Sequence, residues 1–317
     1  MDSNLKNFIC RYTEATTITS QEIIQSLWSG YGKMLRIGLK NSDIKSVVVK
    51  EINLSPKENH PRGWNTDIGH QRKLKSYEIE KCWYENYSHL SGSRLPKCLG
   101  VESSSVHIYI LLEDLDLAGY PLRKQSLNWN EFSACLKWLA EFHASFLGKQ
   151  PNNLWEKGTY WHLDTRPQEL EALKDQELKS AAKHIEARLN NCTYKTIVHG
   201  DAKLANFCFS KTGEVAGVDF QYVGGGCGMK DIAYFAGSCL SETKCEELED
   251  KILETYFDHF HRALGKVHEE LEQEWKKLYR VAWADFHRFL KGWSPDHWKI
   301  NSYSEKITKE VLKSLQI

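Results

Sequence analysis

The sequence predicts an α+β chain in two lobes: a small β-rich N-terminal lobe over residues 1–115 and a larger, mainly helical C-terminal lobe over residues 116–317. Three observations carry this. β-Branched runs punctuated by turn residues dominate the first part of the chain, long helical patterns dominate the part beyond Tyr120, and the composition can fill two cores. With 41% hydrophobic and 12% aromatic residues in 317, the chain does not read as disordered.

The elements come in a clear order. Ile23–Leu27 reads as a strand, 29–32 as a tight turn, and Met34–Leu39 as the returning strand. Ser46–Ile52 is a third strand, with three successive valines ahead of Lys50. The polar stretch from Asn53 to about Asp67 reads as a loop. Leu74–Leu90 is helical, with Tyr77, Lys81 and Tyr84 spaced for one face, and Val106–Leu112 is a strand that stops at Glu113-Asp114. Beyond the lobe boundary near 113–120, helical patterns cover Trp129–Leu147, Gln168–Asn190, Glu242–Leu264 and Glu269–Lys291. Short strands at Thr196–Val198, Phe207–Phe209 and Val215–Val218 interrupt them.

Composition excludes several classes of function. Lys+Arg and Asp+Glu are both 42, so a broad basic patch for nucleic acid or anionic lipid is not expected. No apolar run is long enough to span a bilayer, and Met1–Asn7 has no apolar stretch after its lysine, so it does not read as a secretory signal. The nine cysteines include no C-x-x-C pair, which argues against a zinc ribbon or a disulfide framework. Cysteines used in this way fit a reducing compartment, and a soluble, cytoplasmic protein is expected. The sequence does not address the oligomeric state.

The segment that carries chemistry is Val198-His199-Gly200-Asp201-Ala202-Lys203-Leu204-Ala205-Asn206, with Gly217-Val218-Asp219-Phe220-Gln221 shortly after it. Phosphoryl transfer from ATP needs a carboxylate that orients the acceptor hydroxyl and takes its proton. It also needs oxygen ligands for Mg²⁺ and a fixed cation on the nucleotide. Asp201 stands in position for the first task, and Asn206 and Asp219 offer hard oxygen donors for the second. The five-residue step from Asp201 to Asn206 is the spacing of a kinase catalytic loop. The competing reading is a chance pair, or a metal site formed by His199 and Asp201 with Cys208.

On these two motifs, in this order and spacing, the chain resembles the aminoglycoside phosphotransferase/choline kinase-like branch of the protein-kinase-like fold. Within that branch it looks most like ecdysteroid kinase-like and choline kinase-like proteins. The branch writes its catalytic loop His-Gly-Asp, and the resemblance covers most of the chain. It implies a bilobal small-molecule kinase with ATP and Mg²⁺ as cofactors and a hydroxyl-bearing small molecule as acceptor. It makes Asp201 the catalytic base and Asn206 and Asp219 the metal ligands. Lys50 becomes the lysine on the α- and β-phosphates, and Gly30 and Gly32 lie in the hairpin over the phosphates. That hairpin lacks the third glycine of protein kinases, and taken alone it is a plain turn.

Helix position favours Glu80 as the carboxylate that orients Lys50, with Glu78 and Glu85 as competitors. The hinge from Leu111 to Leu115 brings Glu113 and Leu115 to the adenine edge through backbone groups. Lys203 can neutralise the transferring phosphoryl group, where many aminoglycoside phosphotransferases carry His; otherwise it is a solvent-facing loop lysine. His143 reads as a satisfied buried histidine, and Asp231 as an N-cap or structural anchor. After Asp219 there is no long activation segment ending in Ala-Pro-Glu, which separates the chain from protein kinases. The adjacent Gly224, Gly225 and Gly226 read as a flexible or tightly turned loop.

For the acceptor, the aromatic tail from Trp275 to Trp298 offers either a wall for a cationic or amphiphilic alcohol or ordinary helix packing. Asp285 and Trp293 are the substrate candidates there, and His60–Trp64 and Arg72–Lys75 can close over the cleft or form a solvated face. A protein kinase, a nucleotide-binding scaffold without turnover and nucleotidyl transfer on the same fold are the alternatives.

Overall fold

The structure is a computed structural model that describes residues 2–27, 30–54 and 67–315. Ser29 of the expected turn and the segment 60–64 lie outside the described residues. The N-terminal lobe is one antiparallel sheet of β1 (Thr17–Ser26), β2 (Gly32–Lys40), β3 (Ser46–Asn53), β4 (Cys98–Ser103) and β5 (His107–Glu113), in the order β1-β2-β3-β5-β4. The period of two along β3 sorts its side chains. Val47 and Val49 face one way, packing with Leu35, Ile37 and Leu111 under helix α1 (Ser3–Thr13), which contributes Leu5, Phe8 and Ile9. Val48 and Ile52 face the other way with Ile108, Ile110 and Leu112, toward α2 (Asp67–Asn86) and the second lobe. Lys50 shares that inner face, opposite Met34 on one side and Ile110 on the other.

Sequence reading missed three parts of this lobe, and each is locally disguised. α1 buries only a few apolar side chains in a polar stretch. β1 begins six residues before Ile23, in a run that is exposed along almost its whole length, as an edge strand is. β4 contains Gly100, where the pairing shifts register and a Cβ would overlap the Tyr12 ring.

The C-terminal lobe is helical, with α3 (Trp129–Ser145), α4 (Pro167–Ala172), α5 (Gln176–Asn190), α6 (Met229–Cys239), α7 (Glu242–Glu247), α8 (Glu249–Leu264), α9 (Glu269–Trp293) and α10 (Ser302–Leu315). A capping box of Asn128 and Glu131 starts α3. The expected helix 168–190 is two helices, because Asp175 caps a fresh start by accepting from Leu178 N–H. The pattern over 242–264 likewise divides at Leu248. No pattern announced α10.

Four short strands interrupt these helices: β6 (Thr196–Val198), β7 (Phe207–Phe209), β8 (Val215–Gly217) and β9 (Gly224–Gly226). β9 corrects an expectation. The three glycines form a strand antiparallel to β6 and not a flexible loop. Residues 155–158 run so close to this strand that a Cβ on Gly224 or Gly225 would overlap the carbonyl of Trp155 or Glu156. Most of the aromatic tail is helix packing: Trp275, Tyr279, Trp283 and Phe286 are buried, while Trp298 is 64% exposed. Among the described residues, no helix is long and apolar enough to cross a membrane.

Candidate active site

Between the lobes lies a cleft of about 1120 Å³. Its floor is the loop between β6 and β7. Gly200 sits at φ 79°, and a Cβ there would overlap the Tyr222 carbonyl, so this turn admits only glycine. The loop is hung from buried Asp231 near the start of α6. One carboxylate oxygen accepts His199 N–H at 2.6 Å and His143 Nε2–H at 3.0 Å, and the other accepts Gly200 N–H at 2.9 Å. Asp231 is therefore an anchor and not the cap of its helix, and His143 is satisfied, its Nδ1 facing the Tyr256 hydroxyl at 2.9 Å. Burial would raise the Asp231 pKa, but its donors outweigh that and keep it ionised below the usual carboxylate range. Asp231→Ala leaves three buried donors unpaired and is expected to cost roughly 3 kcal/mol or more, read by chemical denaturation.

The same loop fixes the His199 tautomer. Asp201 N–H donates to Nδ1 at 3.3 Å, so Nε2 carries the proton, which it donates to Val218 O at 3.0 Å. This bond ties the strand leading to Asp219 to the loop carrying Asp201. The Asp201 carboxylate accepts from three side chains. Lys203 Nζ at 2.8 Å and Asn206 Nδ2 at 3.1 Å approach one oxygen, and the Tyr234 hydroxyl approaches the other at 3.1 Å. Asn206 Nδ2 also donates to the Asp201 carbonyl at 2.8 Å, which spends its amide nitrogen and leaves its carbonyl oxygen available.

Asp219 adopts φ 71°, a left-handed backbone held by the surrounding bonds. One of its oxygens meets Lys50 Nζ at 3.3 Å and Gln221 Nε2 at 2.6 Å. Its side chain is one-third exposed to the cleft. Burial alone would raise its pKa, but Lys50, Lys203 and Lys73 reverse the shift, so it is ionised at any ordinary pH. Lys50 is buried and meets both Glu80 oxygens at 2.8 and 2.6 Å. Burial disfavours its ammonium, yet Glu80 and Asp219 outweigh that and raise its pKa. Glu78 and Glu85, the other candidates, are exposed, and Glu78 faces Lys81.

The cleft wall near the hinge is apolar, formed by Leu27, Met34, Val48, Leu112 and Val218. Glu113 and Leu115 line it, but the Glu113 N–H already donates to the Lys97 carbonyl at 2.9 Å. The Glu113 carboxylate pairs with Arg94 at 2.8 Å. Gly30 and Gly32 do not line the cleft, whereas Tyr31 between them does. Gly32 is needed for packing, because a Cβ there would overlap the Glu51 carbonyl on β3.

The two acceptor candidates separate. Trp293 lines the cleft beside Phe289. Asp285 does not: its carboxylate is taken by Arg288 at 2.8 Å and Trp161 Nε1 at 2.9 Å, and it is 1% exposed. Sequence reading did not single out Tyr160, Arg166, Glu169, Tyr222 or Tyr234. They come from distant segments and carry no local motif. Arg72 and Lys73 do face the cleft, while Lys75 is exposed and stacks on Trp155.

Among solved structures, the chain is similar to aminoglycoside phosphotransferase APH(4)-Ia (TM-score 0.52, 11% identity, 98% of each chain covered). A thermostable mutant of that enzyme, in a ternary complex with ADP and hygromycin B, aligns with TM-score 0.51 and 11% identity over 98% of this chain and 99% of that one. A candidate aminoglycoside phosphotransferase from Ralstonia eutropha aligns with TM-score 0.50 and 13% identity over 98% of this chain and 95% of that one. Such likeness shows the fold, which is the bilobal protein-kinase-like fold. No curated protein matches the chain. A sequence model of the ecdysteroid kinase-like family matches residues 78–160 and 146–269, more than half of the chain, and the chain belongs to that family.

Proposed function

We propose that the protein is an ATP- and Mg²⁺-dependent phosphotransferase that phosphorylates a hydroxyl group of a small molecule. The observation that carries this is the convergence on one cleft of Asp201, Asn206, Asp219 and the Lys50–Glu80 pair, with an apolar wall at the hinge. In this reading Asp201 orients the acceptor hydroxyl and receives its proton, on a carboxylate whose one oxygen is held by Lys203 and whose other is held by Tyr234. Lys50, fixed by Glu80, binds the α- and β-phosphates. Lys203 offsets charge on the phosphoryl group in flight.

The donor set fits Mg²⁺: Asn206 offers its free carbonyl oxygen and Asp219 an ionised carboxylate, the small oxygen set that Mg²⁺ takes alongside nucleotide phosphates. Bound there, the ion supplies charge neutralisation on the phosphates. The Glu113 carbonyl and the Leu115 N–H would hold the adenine edge at the hinge, and Tyr31, in place of Gly30 and Gly32, is the hairpin residue that lines the cleft. Hygromycin B and ADP share the ternary complex of the similar fold, which supports a small acceptor beside a nucleotide. The nine cysteines are free, as suits a cytoplasmic protein. The test is loss of transfer in Asp201→Asn.

Lys73 adds a measurable pH dependence. It donates to Gln221 Oε1 at 2.7 Å, next to Asp219. Burial, together with the neighbouring Lys50 charge, pulls its pKa down to about 8 against the pull of Asp219. Its ammonium is therefore present below about pH 8 and lost above it. Nucleotide affinity is expected to weaken as the pH rises through this value, and Lys73→Gln to flatten that dependence, measured by titration calorimetry.

A further inference from the structure

The charge of the acceptor half of the cleft does not suit a cation. Among the described residues, every acid lining the cleft is ion-paired. Glu80 and Asp219 are paired with Lys50, Asp201 with Lys203, Glu113 with Arg94, and Asp114 and Asp116 with Arg36. Among the described residues, the one remaining acid on the acceptor side is Glu169, and Arg166 takes it at 3.0 Å.

Against that single carboxylate stand two guanidinium groups. Arg166 is nearly buried, donates from Nε to the Tyr160 carbonyl at 2.7 Å, and lies over the rings of Tyr160 and Phe289 at 5.6 and 5.2 Å. Arg72 donates from Nη1 to the Thr165 carbonyl at 2.8 Å and has no ion pair among the described residues. The two are close enough to repel. Burial, with Arg166 adding to it, lowers the Arg72 pKa against the weaker pull of Tyr222 and Glu169. A half-buried arginine beside a like charge is costly unless something negative joins it. The site also adjoins the reacting end: the Tyr160 hydroxyl contacts that of Tyr234 at 3.3 Å, and Tyr234 in turn contacts Asp201.

Resting on the phosphotransferase reading above, we propose that the acceptor carries an anionic group on a partly apolar skeleton. Arg72 and Arg166 bind that group against Tyr160, Phe289 and Trp293, and the hydroxyl lies at Asp201. Of the cationic or amphiphilic alcohol that the aromatic tail and Asp285 suggested, this replaces the cationic alternative. Guanidinium groups match carboxylate or sulfate through paired N–H donors.

Three probes of one shape test this: para-(hydroxymethyl)benzoate, its primary amide, and the corresponding trimethylammonium compound. Dissociation constants are measured by ligand-observed NMR with saturating Mg²⁺ and a non-hydrolysable ATP analogue, and transfer from Mg-ATP is tracked by mass spectrometry. The benzoate is expected to bind at least ~tenfold more tightly than the amide, and the ammonium compound most weakly. Arg72→Gln and Arg166→Gln keep a donor for the carbonyls and are expected to erase the benzoate's advantage while leaving the amide unchanged. Glu169→Gln frees Arg166 and is expected to tighten the benzoate several-fold, a gain that a purely structural ion pair does not give.

Equal or tighter binding of the amide or the ammonium compound overturns the proposal. So does equal weakening of all three probes by the arginine variants, or displacement of the benzoate by the nucleotide analogue, which would give the site to the nucleotide phosphates. Charge-selective binding without any Asp201-dependent transfer contradicts the phosphotransferase reading and leaves the anion site standing. Asp201-dependent transfer that favours the ammonium compound does the reverse.

Discussion

Replacing Asp201 by asparagine is expected to lower phosphoryl transfer by roughly 10²- to 10⁴-fold, the range a positioned general base contributes. Mg-ATP binding should be largely kept. The substitution suits the site because the carboxylate is held by donors on both sides. The new amide NH₂ has one tolerable orientation, toward Tyr234, whose hydroxyl can rotate to accept. Lys203 and Asn206 keep an oxygen to bind. The variant should therefore melt close to wild type, so a loss of turnover reports on chemistry. Single-turnover kinetics beside calorimetric ATP binding separate the two. Unchanged turnover would remove Asp201 from the base role.

Lys50→Met is expected to act on stability as well as on nucleotide binding. It strands Glu80, whose side chain is 2% exposed, without its counter-ion. Removing one partner of a buried pair costs about 3–5 kcal/mol. Part of that cost is escaped by protonation, since burial raises the Glu80 pKa even with Lys50 present. A raised folded-state pKa gives stability that is present at low pH and lost as the pH climbs through it, so the variant's deficit should deepen with rising pH. Lys50→Met with Glu80→Gln removes both charges and is expected to restore most of the stability but not the ATP affinity. Denaturation midpoints over a pH series, with ATP titrations on the same three proteins, read out both effects.

The parts of the site that were legible in the sequence are local. Asp201, Lys203 and Asn206 lie within six residues, and Asp219 ends the next apolar run, so one loop and one strand reveal them. Lys50 was legible as the lysine that ends a run of three valines on β3, and the strand's alternation turns it inward with Val48 and Ile52. Glu80 was legible as one of three candidates. The helix face chose it by burying Tyr77, Glu80 and Tyr84 while exposing Glu78 and Glu85.

The features the sequence hid depend on contacts between distant segments. The carboxylate of Asp285 is the right chemistry on a suitable helix, but Arg288 and the distant Trp161 consume it. The glycines of β9 look like a loop until the segment around Trp155 is laid against them. Gly32 reads as a phosphate-loop residue until β3 is seen to need the space. The cleft lining by Arg72, Tyr160, Arg166, Tyr222 and Trp293 is drawn from four stretches of the chain with no shared spacing.

The most direct test of the central claim is a comparison of wild type and Asp201→Asn in a small-molecule extract supplied with Mg²⁺ and γ-labelled ATP, resolved by mass spectrometry. The expected result is at least one compound that gains a single labelled phosphoryl group on a hydroxyl with wild type and not with the variant, although both bind Mg-ATP. The same labelled product formed equally by both proteins, or no binding of Mg-ATP by wild type, would contradict the phosphotransferase assignment.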